Sequence, residues 1–211
     1  MKNRMHFPDF RFPPILKKLK RGPQIILPKD LGLMVGYTGI GKDSIVIDAG
    51  TGSAFAAVFF GNIARKVYTY EIRPDFAEFA RKNIRRSELN NVILRQKDVF
   101  KGVKEKADLI MLDLPNAEKI FRSKFNLADG GHIVSYLPNF EQVKKFVEAA
   151  RKKKFETFTV EAIVREIMFR EFTRPQTKGL THTAFLTFAR RAQQQNQQPN
   201  PQQNVKGQKR K

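Results

Sequence analysis

Ser44-Ile-Val-Ile-Asp48-Ala-Gly50-Thr-Gly52-Ser-Ala54 is the stretch on which the fold turns. Its β-branched apolar run meets a glycine cluster, the pattern of a buried strand entering a tight turn. Glycines there let the backbone approach a ligand closely, and residues 54–64 read as a helix whose free N–H groups begin at that turn. Working outward, Val67-Tyr-Thr-Tyr70 reads as a second strand, and Glu71 stands at its end, about 20 residues past the glycines. An acid at that place can hydrogen-bond both hydroxyls of a ribose, so loop and acid together indicate an adenosine-containing cofactor. A dinucleotide loop needs a third glycine at position 55, where this chain has Phe55, which weakens a nicotinamide or flavin reading.

The remaining chain alternates in the same way. Behind Pro74, the residues Phe76, Phe79, Ala80 and Ile84 fall at helical spacing. Val92 to Arg95 reads as a third strand, Leu109-Ile-Met-Leu112 as a fourth, and His132-Ile-Val-Ser-Tyr136 as a fifth after a turn at Asp129-Gly-Gly131. Val143, Phe146, Val147 and Ala150 mark another helix, residues 157–164 a sixth strand and residues 183–188 a seventh. The spacing predicts an α/β fold, a mostly parallel seven-stranded sheet covered on both faces. The last two strands have no helix-length pattern between them, so an antiparallel C-terminal edge strand is expected.

Forty Lys and Arg stand against 20 Asp and Glu, a formal charge of +20. Residues 1–23 contribute +6 and residues 190–211 another +6, so the body is basic as well as the ends; a polyanion such as nucleic acid is the natural partner. The chain divides into a basic N-terminal arm (1–21), a catalytic unit (22–190) and a Gln/Asn-rich tail (191–211) expected to be disordered. The absence of cysteine excludes a disulfide scaffold and cysteine zinc sites, and three separated histidines make no metal cluster. No apolar run is long enough to span a membrane and no signal peptide is evident, so a cytoplasmic protein without membrane or metal is expected.

Six blocks, taken in order, resemble one family. They are Gln24-Ile-Ile-Leu-Pro-Lys-Asp30, Ala49-Gly-Thr-Gly-Ser53, Tyr70-Glu71-Ile-Arg73, Leu112-Asp-Leu-Pro115, Tyr136-Leu-Pro138, and Arg174-Pro175 followed by His182-Thr183. Together they resemble the tRNA adenine-N1-methyltransferases that act at position 58 of the T-loop, with archaeal members acting also at 57. The resemblance implies a Rossmann-like class I methyltransferase fold with S-adenosyl-L-methionine as methyl donor. It implies that Gln24, Gly50, Thr51, Gly52, Ser53, Glu71, Asp98 and Asp113 bind the cofactor, and that Asp113 and Tyr136 are catalytic. Adenine N1 is a neutral nucleophile on the Watson–Crick edge, so the nucleotide must be extruded, and a carboxylate beside the exocyclic amine can orient N1 and offset the growing charge. RNA contact is expected from Lys17, Lys18, Lys20, Arg21, Arg174 and His182, with tRNA as substrate and a homotetramer or homodimer as the assembly.

Three departures from the family pattern stand out. Ala54 occupies a glycine position, Asn116-Ala117-Glu118 follows the Asp-Leu-Pro block in place of the usual sequel, and only 23 residues precede Gln24. Two alternatives are weighed: methyl transfer to another acceptor, a protein isoaspartate or a corrin-like ring, and a non-catalytic tRNA-binding subunit. Retention of Glu71, Asp98, Asp113 and Tyr136 weighs against the second.

Overall fold

The computed structural model describes residues 12–22, 24–169, 173–176 and 182–192. β1 (Ile45–Ala49), the strand of the opening stretch, lies within a seven-stranded sheet of order β3-β2-β1-β4-β5-β9-β6. β2 (Lys66–Tyr70) and β4 (Lys106–Leu112) flank it in parallel, with Ile47 opposite Tyr68 on one side and Ile110 on the other. β3 (Val92–Arg95) and β5 (Asn126–Leu137) extend the sheet, also in parallel.

Successive strand residues face opposite sides, which gives two cores. Val46, Val67, Leu109, Met111 and Val134 pack with α1 (Pro14–Lys17), α2 (Pro28–Thr38), α3 (Phe55–Gly61) and Ala80 of α4 (Pro74–Ser87). Ile47, Ile110, Leu112 and Ile133 pack with α5 (Phe140–Lys152) and the 3-10 turns Val99–Lys101 and Ala117–Arg122. Prolines open α1, α2 and α4, where a missing N–H costs nothing.

The antiparallel strand is there at the expected end of the sheet. It is β9 (Phe185–Arg191), and it sits between β5 and β6 (Phe155–Glu161), so that β6 takes the outermost place. Two further details differ from the expected pattern. The Asp129-Gly-Gly131 turn is absorbed into β5 as a bulge: Ala107 pairs with Leu127 and Leu109 with His132, so residues 128–131 are accommodated without ending the strand. The connection from β6 to β9 carries a small hairpin of β7 (Ile167–Met168) and β8 (Arg174–Pro175).

Asn83, fully buried on α4, anchors the segment before α2. It accepts from the Lys20 N–H at 2.9 Å and donates to the carbonyls of Lys20 and Ser53 at 2.8 Å each. Phe12, Leu16 and Leu19 of this segment are buried in the first core. Arg191 is the last residue of β9, and the Ala192 N–H donates to the Lys154 carbonyl at 3.4 Å. Residues 1–11 of the arm and 193–211 of the tail lie outside the described residues. Chain order reverses between β1 and β4, and in such sheets the ligand crevice opens beyond the carboxyl ends of those strands.

Candidate active site

At the end of β1 the chain turns through Gly50 at φ +94°, a conformation L side chains rarely adopt. The N–H groups of Gly50 and Thr51 both donate to the Tyr70 carbonyl, at 3.0 and 3.2 Å, and the Asp113 N–H donates to the Ala49 carbonyl at 2.8 Å. The ends of β1, β2 and β4 are thereby laced together, and the Asp113 carbonyl presses against the open side of Gly50. Gly52, at φ +49°, donates its N–H to Glu71 Oε2 at 3.2 Å, while the Arg73 N–H donates to Glu71 Oε1 at 3.0 Å. Thr51 and Ser53 are buried: the Thr51 hydroxyl lies 2.5 Å from that of Thr69, and the Ser53 carbonyl is held by Asn83.

Ala54 adopts φ +63°, which explains why a glycine suits this place. The left-handed conformation costs about 1–2 kcal/mol. Its methyl group is fully buried in the first core and recovers about 0.8 kcal/mol by that burial, so the alanine is tolerated and is spent on packing.

Three carboxylates surround this turn. Asp48 is fully buried; its Oδ2 accepts from Thr69 at 2.6 Å, and its Oδ1 has no partner among the described residues. Burial is the main reason its pKa is pushed up to about 7, and the negative charges of Asp113 and Glu71 push in the same direction. Asp113 opens on the cleft as an exposed residue, yet the protein around its carboxyl raises it by desolvation to about 6. The 3-10 turn that follows is capped at Asn116, not by Asp113, whose carboxylate takes no hydrogen bond among the described residues. A glycine turn with open space at Gly52, ringed by acids and with one buried oxygen unpartnered, fits a cationic ligand such as S-adenosylmethionine. The Gly50 to Ser53 backbone would hold it, with Glu71 at the ribose.

Asp98 lies after β3 and caps the turn Val99–Lys101, its Oδ1 accepting from the Phe100 N–H at 2.8 Å. One carboxylate oxygen is thus spent on the backbone, which leaves the other for an adenine amine. Gln24 stands two residues after Gly22, where an added Cβ would meet the Ser53 side chain at 3.1 Å, so the chain just before Gln24 runs beside the glycine loop. Ile72 is 63% exposed directly after Glu71, an apolar surface beside that acid that the sequence reading passed over. Its signal is an apolar residue where the strand has ended and a polar one is expected.

The second missed feature is a buried polar cluster behind Tyr136. Asp30 of α2 is fully buried. Lys29 Nζ donates to Asp30 Oδ1, to the Thr183 hydroxyl and to the Ala162 carbonyl, each at 2.8 Å, and Thr183 Oγ1 donates to Asp30 Oδ2 at 3.0 Å. Tyr136, half-buried at the end of β5, meets this cluster. Its phenol is raised above the ordinary range by burial and then by the negative charge of Asp30, with Asp113 adding to the effect and Thr183 opposing it. Tyr136 is therefore held as a neutral hydroxyl. Lys29 and Asp30 belong to one recognised block and Thr183 to another, but nothing local in the sequence pairs them.

The expected RNA contacts are more scattered. Lys18 pairs with Glu88 at 2.8 Å, Arg21 lies 4.2 Å over the Phe12 ring, and Lys17 and Lys20 belong to the segment anchored by Asn83. Arg174 is exposed on β8, opposite Met168 of β7. His182 lies beside the Tyr136-Leu137-Pro138 block, where its Nε2 bonds the Pro138 carbonyl at 2.9 Å. No group of three or more His, Cys, Asp or Glu among the described residues could hold a metal, and no helix among them is long and apolar enough to cross a membrane.

The profile of the tRNA methyltransferase complex GCD14 subunit matches residues 16–173, spanning the glycine turn, Glu71, Asp113 and Tyr136. The chain belongs to this methyltransferase family. It is 37% identical over 215 residues to the tRNA (adenine(57)-N(1)/adenine(58)-N(1))-methyltransferase TrmI of Methanocaldococcus jannaschii, covering 83% of this chain and 74% of that protein. It is 30% identical over 189 residues to the tRNA (adenine(58)-N(1))-methyltransferase TrmI of Thermus thermophilus, covering 83% and 72%. Among solved structures, the tRNA (m1A58) methyltransferase TrmI of Aquifex aeolicus superposes with a TM-score of 0.74 at 27% identity, covering 86% of this chain and 77% of that one. The methyltransferase accordingly has the Rossmann-like fold of S-adenosylmethionine-dependent enzymes, and the expected fold class and cofactor are borne out.

The raised carboxylates beside the glycine turn carry a prediction about pH. Ionised Asp48 and Asp113 attract a cationic cofactor and their protonated forms do not, so affinity should fall as pH drops from about 7 through about 6. The unliganded protein runs the other way. A carboxylate raised in the folded state binds its proton more readily there than in the unfolded chain, so stability declines as pH rises from about 4 to about 7. Asp48→Asn should therefore melt a few degrees higher than wild type at about pH 8 and bind the cofactor about tenfold more weakly there. Calorimetric titrations across this interval check the idea, and a wild-type affinity independent of pH would defeat it.

Proposed function

We propose that this methyltransferase transfers a methyl group to N1 of an adenine in the tRNA T-loop, at position 58 with 57 as a second target. The observation that carries the reading is the unbonded, desolvated Asp113 carboxylate, set between the glycine turn and Tyr136. S-adenosylmethionine, when bound, supplies an electrophilic methyl group. Asp113 accepts a hydrogen bond from the adenine 6-amino group, which aims N1, and its negative charge offsets the positive charge that methylation leaves on the base. Tyr136, kept neutral, serves as a hydroxyl donor and an aromatic edge for the extruded base. The unbonded Asp113 carboxylate and the neutral Tyr136 hydroxyl support catalysis over a subunit that only binds RNA.

The test is incubation of the full chain with S-adenosylmethionine and unmodified tRNA transcript, followed by nucleoside analysis. N1-methyladenosine is expected, reduced in transcripts carrying guanosine at 58 and, to a lesser degree, at 57. Cofactor binding with no N1-methyladenosine on any tRNA would overturn the proposal. A homo-oligomer fits the exposed apolar side chains on and after the outermost strand, namely Phe158, Ile163, Val164, Ile167 and Phe169. A monomer mass by light scattering would remove that part.

A further inference from the structure

We propose that Phe140, Phe185 and His182 form an aromatic platform at the lip of the cleft, on which the nucleobase next to the target adenine stacks. The proposal rests on the tRNA reading above and adds a contact that the catalytic groups do not make. Phe140 opens α5 two residues after Pro138 of the Tyr136-Leu137-Pro138 block, and it is 70% exposed. It lies on Phe185 with ring centroids 4.4 Å apart and planes 27° from parallel. A single exposed phenylalanine is ordinary. A stacked pair with its outer ring open, close in sequence to Tyr136, is a surface that can take a further ring.

Strand register fixes where the pair sits. Phe185 of β9 is directly opposite Leu137 of β5, and its neighbour Leu186 is opposite Tyr136. The platform is therefore one register step from Tyr136, on the other face of the sheet, within reach of the nucleotide beside an extruded adenine. Asn139 holds the other ring in place, its Oδ1 accepting from the Gln142 N–H at 3.0 Å and so capping α5 one residue before Phe140.

His182 closes the third side. Its ring centroid is 4.9 Å from that of Phe185 at 50°, its Nδ1 meets Glu161 Oε1 at 2.5 Å, and its Nε2 donates to the Pro138 carbonyl. Both ring nitrogens thus face acceptors, which suits an imidazolium. The Glu161 carboxylate and the Pro138 carbonyl raise its pKa, against a smaller opposing effect of the Lys29 charge. The pairing also neutralises Glu161, which would otherwise repel a phosphate at the rim. A flat π surface, a planar cation and a chain of +20 net charge match a single-stranded nucleic acid better than an apolar peptide.

The experiment uses T-arm RNA with 2-aminopurine on the nucleotide 5′ or 3′ of the target adenine. With wild-type protein, binding should quench the probe on one side. Phe140→Ala should weaken RNA binding about tenfold and lose the quench, with cofactor affinity and melting temperature unchanged, and Phe140→Trp should keep both signals. Equal affinity and equal quench in Phe140→Ala would overturn the proposal. So would a lower oligomer mass in that variant, because the platform would then be a contact between copies of the chain. If wild type forms no N1-methyladenosine but the quench appears and depends on Phe140, the methylation reading fails and the platform stands.

Discussion

Asp113→Asn should lose about 10²–10³-fold in the rate of methyl transfer to adenine, while cofactor affinity changes far less. Asparagine keeps the size and shape of the side chain, so the lacing of β1 to β4 through the Asp113 N–H is untouched. What is lost is a negative charge aimed at a base that becomes cationic, and such charges act mainly in the transition state. The pH profile separates this role from a structural one. Because the Asp113 carboxyl is raised to about 6, wild-type activity should fall as pH drops through that value, when the acceptor of the amine hydrogen bond becomes protonated. In Asp113→Asn that acid limb should flatten. Single-turnover rates with saturating tRNA measure both, and a variant within about threefold of wild type would remove Asp113 from the chemistry.

Gly50→Ala should be the most damaging single methyl group in the chain. A Cβ there would overlap the Asp113 carbonyl oxygen, lie 3.0 Å from its carbonyl carbon and meet Leu114 at 3.2 Å. The oxygen and the carbonyl carbon belong to backbone that is itself pinned by the Asp113 N–H bond to Ala49. The Leu114 side chain can yield but the Asp113 carbonyl cannot, and φ +94° is strained for alanine besides. Displacing the end of β4 moves Asp113 and the cradle together, so cofactor binding should vanish and stability fall by about 2–4 kcal/mol. Gly52→Ala is the control for folding. Only the Gly50 carbonyl approaches that position, at 3.9 Å, and the cost is the ordinary left-handed penalty of about 1–2 kcal/mol. Thermal melting should rank wild type, Gly52→Ala and Gly50→Ala in that order; a Gly50→Ala protein that melts with wild type would sink the account.

Much of this arrangement is written locally in the chain. The run from Ser44 to Ala54 shows its strand, its turn and its helix because each follows from neighbours: β-branched residues, then glycines, then small apolar residues at helical spacing. Val92 to Arg95 matches β3 residue for residue, and the proline at 74 marks the start of α4. α2 escaped notice because Gly32 and Gly36 interrupt it and its buried set is only Asp30, Leu31 and Met34, one of them an acid. The Asp129-Gly-Gly131 sequence has turn chemistry, but the β4 partner continues past it and pairing wins over local preference. The polar cluster behind Tyr136 was invisible for a different reason. Asp30 and Thr183 are 153 residues apart, and only the insertion of β9 beside β5 brings them together.

That insertion also governs the order in which the protein can be finished on the ribosome. β5 and β6 are not paired with each other; each is bonded to β9, through Tyr136 opposite Leu186 on one side and Val160 opposite Leu186 on the other. A nascent chain that has emerged only to residue 182 carries β1 to β4 already able to pair, but β5 ends in an unbonded edge and Asp30 lacks its threonine. The cofactor half of the cleft can therefore assemble early, whereas the half that would receive the base must await the strand made after all the others described.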